Sequence, residues 1–218
     1  MATILCLETA TTKCSVALSV NGSVIAIQED SSKDYSHAEM LHPFINKVLT
    51  ASNCKKEDLD AVAVSKGPGS YTGLRIGVSA AKGLCYALDI PLLSIPTLES
   101  LAAQVTTQPD FVVSMLDARR MEVYSAVFSE NKEIRTTEAE ILTKSSFSDY
   151  LERGKVVFLG SGVDKFKSIC THPNAIFLDN SLPSAREMAL IAEKKYSANE
   201  MENVAYFEPY YLKNFISN

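Results

Sequence analysis

Ala61-Val-Ala-Val-Ser-Lys-Gly-Pro-Gly-Ser-Tyr-Thr-Gly-Leu-Arg-Ile-Gly77 reads as a short buried strand, a glycine-rich turn and the first turns of a helix. Glycine lets the backbone turn sharply there and lets another chain segment or a ligand come close. Ser70 or Thr72 is placed to cap the helix, whose apolar spacing runs from about Leu74 to Leu88. A strand reached through helices joins its neighbours in parallel, so this segment predicts a sheet with crossover connections.

The flanking sequence supplies the other elements. Ile4, Leu5 and Leu7 mark a buried strand. Cys14 to Val20 alternates and ends at Asn21-Gly22, a dipeptide suited to a two-residue hairpin, and Ser23 to Gln28 returns. From Ser36, the residues Met40, Leu41, Phe44, Ile45, Val48 and Leu49 recur at helical spacing. Leu92 to Ile95 forms a further strand, and Thr97 opens a helix through Val105. The second half runs Phe111–Leu116, Glu122–Phe128 and a weaker strand near Ile134, then a short helix from Ser145. Strand Val156–Leu159, helix Val163–Cys170 and strand Ala175–Leu178 follow. Ser184-Ala-Arg-Glu187 is a capping box that opens a last helix to about Tyr196.

Both halves read β-β-β-α-β-α-β-α. The expected fold is α/β, two tandem ribonuclease-H-like lobes on the plan of the actin, Hsp70 and sugar-kinase (ASKHA) superfamily. A single larger α/β domain with a coincidental element order is the alternative. The lobes are expected at 1–105 and 106–218, with a tail from 203 to 218 packing back on the first lobe or on a partner.

Composition narrows the function. The 218 residues carry 21 Lys plus Arg against 26 Asp plus Glu, a net charge of −5, and no basic run. Such a chain grips nucleic acid poorly by itself, because phosphate binding rests on clustered cations. Five scattered cysteines form no CxxC pair, and the N-terminal apolar stretch is too short for a signal peptide, so a cytoplasmic protein without membrane spans is expected.

Three chemistries attach to the glycine-rich segment. As an anion site it lacks the G-x-x-x-x-G-K-[ST] spacing of a P-loop, and a plain strand-to-helix turn explains it equally well. As a nucleophile elbow it fails, because Gly69 stands one residue before Ser70 rather than two. The small residues Gly77, Ser79, Ala80, Ala81 and Gly83 admit a neighbouring helix, either inside the chain or across a subunit interface.

Gly67-Pro-Gly-Ser-Tyr-Thr-Gly-Leu-Arg-Ile-Gly77 resembles the signature of the TsaB family, formerly YeaZ. Ile4-Leu-Cys-Leu-Glu-Thr-Ala10, His37-Ala-Glu-Met-Leu-His-Pro43, Asp117-Ala-Arg-Arg-Met-Glu-Val-Tyr124 and Glu208-Pro-Tyr-Tyr-Leu-Lys213 are similar to further family segments in register. The resemblance implies a non-catalytic subunit required for threonylcarbamoyl-adenosine (t6A) formation at position 37 of tRNAs reading ANN codons. Its implied partners are the larger paralogue TsaD, in a heterodimer, and the ATPase TsaE, with a homodimer when alone and tRNA contacted only indirectly.

On this resemblance the partner interface comprises His37, Met40, Leu41, Tyr71, Leu74, Gly77, Ala80, Ala81 and Leu84. Catalytic residues and a metal site are not expected. The catalytic paralogue holds its metal with a His-x-x-x-His pair, and Thr97 and Leu101 stand at those places here. Glu8 occupies a turn where the superfamily more often has Asp. Glu8, Thr9, Arg119, Gly160 and Gly162 are the candidates for nucleotide contact. No cofactor is expected for the isolated chain, with ATP or ADP a candidate ligand at the interface of the assembled complex. The alternative is a small ATP-binding or carbamoyl-transfer enzyme of the same fold, or, less in keeping with the residues, a glycoprotease-like peptidase.

Overall fold

The computed structural model describes residues 2–30 and 37–212. Ser36, where the first helix was expected to start, and Lys213 of the C-terminal motif lie outside them. The first run of elements is β1 (Thr3–Glu8), β2 (Cys14–Val20), β3 (Ser23–Asp30), α1 (His37–Ala51), β4 (Ala61–Gly67), α2 (Tyr71–Leu88), β5 (Leu92–Pro96) and α3 (Thr97–Ala102). The second is β6 (Phe111–Asp117), β7 (Glu122–Ser129), β8 (Lys132–Ile141), α4 (Ser148–Leu151), β9 (Val156–Leu159), α5 (Val163–Lys167), β10 (Ala175–Leu178) and α6 (Ala185–Ser197). The two runs follow one pattern, as the sequence predicts.

The strands form two five-stranded sheets of equivalent order, β3-β2-β1-β4-β5 and β10-β9-β6-β7-β8. Hairpin-linked neighbours are antiparallel and helix-linked neighbours parallel. Asn21 and Gly22 both have positive φ, 51° and 73°, as a tight two-residue hairpin turn requires. The strand near Ile134 extends over ten residues. Its signal is weak in sequence because β8 is a sheet edge whose side chains are mostly solvated.

The chain divides into two compact units, Met1–Thr97 with Pro183–Asn218, and Leu98–Leu182. This differs from the expected division at residue 105 in one respect. The helix that closes each sequence half packs on the sheet formed by the other half and so belongs to that sheet's unit. In the first unit, Leu5, Leu7, Val16, Leu18, Val62 and Val64 face α1 and α2. The opposite face presents Ile4, Cys6, Ala17, Ala61 and Ala63, and α6 covers it with Ala185, Met188 and Ala192. Small residues on both sides bring helix and sheet close. Without α6 that face would be bare, so the last helix belongs to the first unit.

α6 is fastened by polar contacts as well. The Ser184 hydroxyl caps it by accepting from the Arg186 N–H (3.1 Å) and donates to Glu29 (2.6 Å), while Ser15 Oγ accepts from the Ala185 N–H (2.9 Å). In the second unit, Phe147, Phe158 and Phe166 meet ring to ring under α4 and α5, with centroids 4.9–5.5 Å apart. Leu98, Leu101 and Ala102 of α3 cover its other face, against Leu116, Ala126, Phe128 and Leu159.

Candidate functional site

The glycine-rich loop and the turn after β1 form one tightly knit structure. α2 begins at Tyr71, three residues before the apolar spacing suggests, because Ser70 caps it by accepting from the Gly73 N–H (3.2 Å). The Ser70 N–H donates to the Ala10 carbonyl (2.7 Å), and the Thr9 hydroxyl donates to the Gly73 carbonyl (2.8 Å). A Cβ at Gly69 would strike the Ala10 carbonyl, one at Gly73 the Thr9 carbonyl, and one at Gly77 the Thr9 hydroxyl. Glycine every fourth residue therefore lets α2 press against the β1 turn. The Ala10 contact with the start of α2 favours the turn reading of this loop over the anion-site reading.

Glu8 and Thr9 lie inside this structure with no exposed surface. Glu8 Oε1 accepts from the Ala10 N–H (2.6 Å), and burial pushes its carboxyl up to about 7. His37, the first residue of α1, sets its Nε2 2.7 Å from the Thr11 carbonyl oxygen, and its pKa is lowered by burial. These three residues, expected as ligand or interface contacts, serve the interior of the first unit instead.

The same holds for four more of the expected interface residues. Leu41, Leu74, Gly77 and Ala81 are buried against the first sheet or the β1 turn. They mark the inward side of the two helices. Met40, Tyr71, Ala80 and Leu84 retain surface. Tyr71, Ala80 and Leu84 line an open groove of about 740 Å³ together with Ala38 and His42 of α1 and Ile76 of α2. Arg75, Ser79 and Gly83 line it too. Helical phase could have identified these residues: at 100° per residue, Ile76, Ser79, Ala80 and Gly83 point away from the buried Leu74–Ala81 side. Arg75 donates to the Tyr71 hydroxyl (3.0 Å) and lies over its ring.

In the second unit, Arg119 sits exposed at the tip of the β6–β7 hairpin, where Arg119 and Arg120 have φ of 71° and 49°. Asp117 Oδ1 accepts from the Arg119 N–H (2.6 Å) and from Lys165 (2.8 Å). Gly160 has φ 110° and no room for a side chain beside the Met115 carbonyl and Leu101. At Gly162 a Cβ would come within 2.8 Å of Val123. Both glycines therefore have packing roles within this unit. Thr97 and Leu101 are fully buried. The Thr97 hydroxyl accepts from the Gly67 N–H (3.2 Å), and Leu101 belongs to the apolar layer under α3.

Two five-stranded mixed sheets of the same order, each flanked by helices, define an α/β protein of the two-lobed actin-like class. Component A of (R)-2-hydroxyglutaryl-CoA dehydratase from Acidaminococcus fermentans shares this fold at a TM-score of 0.52 and 12% identity, covering 90% of this chain and all of that one. A family description reading "TsaD: tRNA N6-adenosine threonylcarbamoyltransferase" matches residues 29–215. The tRNA threonylcarbamoyladenosine biosynthesis protein TsaB of Escherichia coli is 31% identical over 98% of this chain and 96% of its own length. YeaZ from Pseudomonas aeruginosa superposes at a TM-score of 0.84 with 26% identity, covering 97% of this chain and all of that one. The chain belongs to the TsaB (YeaZ) family.

Proposed function

We propose that this chain is a non-catalytic subunit in tRNA threonylcarbamoyladenosine formation and that it docks the threonylcarbamoyltransferase through the outward side of α1 and α2. The carrying observation is the groove between these helices, with Ile76, Ala80 and Leu84 at its surface. Apolar and small side chains of this kind favour cover by another helix pair. The family description that this chain matches is that of the transferase itself. Two proteins of one fold can join through equivalent faces about a pseudo-two-fold axis, and a second copy of this chain fills the same face when the partner is absent.

Catalytic silence follows from Thr97 and Leu101, which the resemblance sets at the places of the transferase's metal-binding histidines. A hydroxyl engaged with Gly67 and a buried leucine supply no imidazole. With a net charge of −5, the chain leaves tRNA binding to its partners. Nucleotide, handled with the ATPase TsaE, belongs to the assembled complex, and the cytoplasm is its compartment. Among the described residues no helix is long and apolar enough to cross a membrane.

Reconstitution tests this reading. The transferase, the ATPase and this chain, supplied with unmodified tRNA and the threonylcarbamoyl donor, should form t6A, and omitting this chain should stop it. Thr97→Ala should leave the reaction intact, while Ala80→Arg should abolish it. Full modification without this chain, or with Ala80→Arg at limiting protein, would overturn the proposal.

A further inference from the structure

The C-terminal segment 202–212 forms a strap along the first unit. Its Glu202 N–H donates to the Leu92 carbonyl (2.9 Å), and the Ser94 hydroxyl donates to its carboxylate (2.5 Å). Lys82, on α2, donates to the carbonyls of both Ala205 (3.1 Å) and Phe207 (3.0 Å). Val204 and Phe207 pack against the core beneath α1 and α2. Farther on, the Tyr210 N–H donates to the Lys66 carbonyl (2.7 Å), and the Tyr211 ring lies 4.9 Å from that of Tyr71.

Tyr71 and Lys82 are three helical turns apart and therefore share one line along α2. Ile76, Ala80 and Leu84, which line the groove with Ala38 and His42, lie about 120–200° around the helix from that line. The strap thus flanks α2 away from these groove residues. Between the two runs the outward ridge of Thr72, Arg75, Ser79 and Gly83, where a Cβ at Gly83 would meet open space. Tyr71 belongs to both structures: it lines the groove and carries Tyr211 against its ring.

The exposed aromatics follow the same side. Tyr206 is pinned between the two carbonyls that Lys82 holds, yet its side chain is 83% exposed, and Tyr86, one turn beyond Lys82, is 86% exposed. Tyrosine offers large contact area at little conformational cost, which is why it concentrates at interfaces. A segment fastened at Leu92, Ser94, Lys82 and Lys66 already has its backbone ordered, so binding through it loses little further entropy.

We propose that the strap is the second wall of the docking surface. Tyr211 holds Tyr71 in position at the groove, and Tyr206 supplies a contact ring to the same transferase partner. This rests on the docking reading above and is continuous with its groove. Tyr211 acts by positioning; Tyr206 acts by contact.

Titration calorimetry with the full chain and the transferase tests it. Tyr206→Ala and Tyr211→Ala should each weaken pairing about tenfold. Tyr211→Phe, which keeps the ring, should bind as the unaltered chain does. The urea midpoint of isolated Tyr206→Ala should barely move, since that side chain, 83% exposed, has little buried surface to lose. If Ala80→Arg abolishes pairing while both alanine variants bind normally, the strap is a structural fastening alone and the inference is overturned, with the docking reading intact. If Ala80→Arg also binds normally, both fall. Should Tyr211→Ala fail to fold, Tyr206→Ala alone decides.

Discussion

Gly77 and Gly83 lie on one helix, and alanine should have opposite effects at the two positions. At Gly83 a Cβ meets open space, and Gly83→Ala should stabilise the isolated chain by about 1 kcal/mol through helix propensity. At Gly77 the same atom collides with the Thr9 hydroxyl, so Gly77→Ala should destabilise by about 1–3 kcal/mol. Thr9→Ala in the same chain should recover much of that loss, a coupling that a double-mutant cycle in urea would measure. Glu8 provides a second test. Its pKa is raised to about 7 in the fold from 4.5, so the folded state favours its protonated form. Its contribution is fully present below pH 4.5 and lost as pH rises through 7, about 3 kcal/mol in all. Glu8→Gln should therefore be the more stable protein at pH 8, with the advantage fading towards pH 4.5. His37 works the other way: its pKa is lowered, so its contribution is present above its ordinary value and lost as pH falls below it. Urea melts of both proteins at pH 5, 6.5 and 8 would separate the two. These roles were only partly legible in the sequence. The Ile4–Ala10 segment reads as strand and turn, but Glu8 is buried by a loop that arrives some sixty residues later.

Among the elements, α2 carries the most information. Its small residues suggest close approach, and the structure divides them by phase. Gly73, Gly77 and Ala81 approach the chain's own turn and core, whereas Ser79, Ala80 and Gly83 face the groove. A spacing of four marks the inner set, but both sets contain the same residue types, so composition alone could not separate them. α6 presents a similar limit. Ser184 was readable as its cap, but Ser15 and Glu29, which receive it, lie 155 or more residues away in the chain. Ser15→Ala removes the acceptor of the Ala185 N–H and a donor to Glu29 inside the protein. It should cost about 1–3 kcal/mol, read as a lower urea midpoint. The pairing surface should be unchanged, because α6 covers the sheet face opposite α1 and α2.

At the scale of the whole molecule, the duplicated order of elements was legible because each half repeats the same change from hairpin to crossover. The exchange of closing helices was not. A helix of given amphipathicity fits either sheet, and only the bare Ala17–Ala61–Ala63 face selects α6. The proposal that this chain works by pairing draws on its acidic balance, which leaves tRNA binding to its partners. The most direct test is the affinity of the isolated chain for the transferase, measured by titration calorimetry with the unaltered protein and with Ala80→Arg. The unaltered protein should form a stable one-to-one pair that Ala80→Arg weakens at least about a hundredfold, with no change in the variant's own melting temperature. Equal affinity for the two proteins would contradict it.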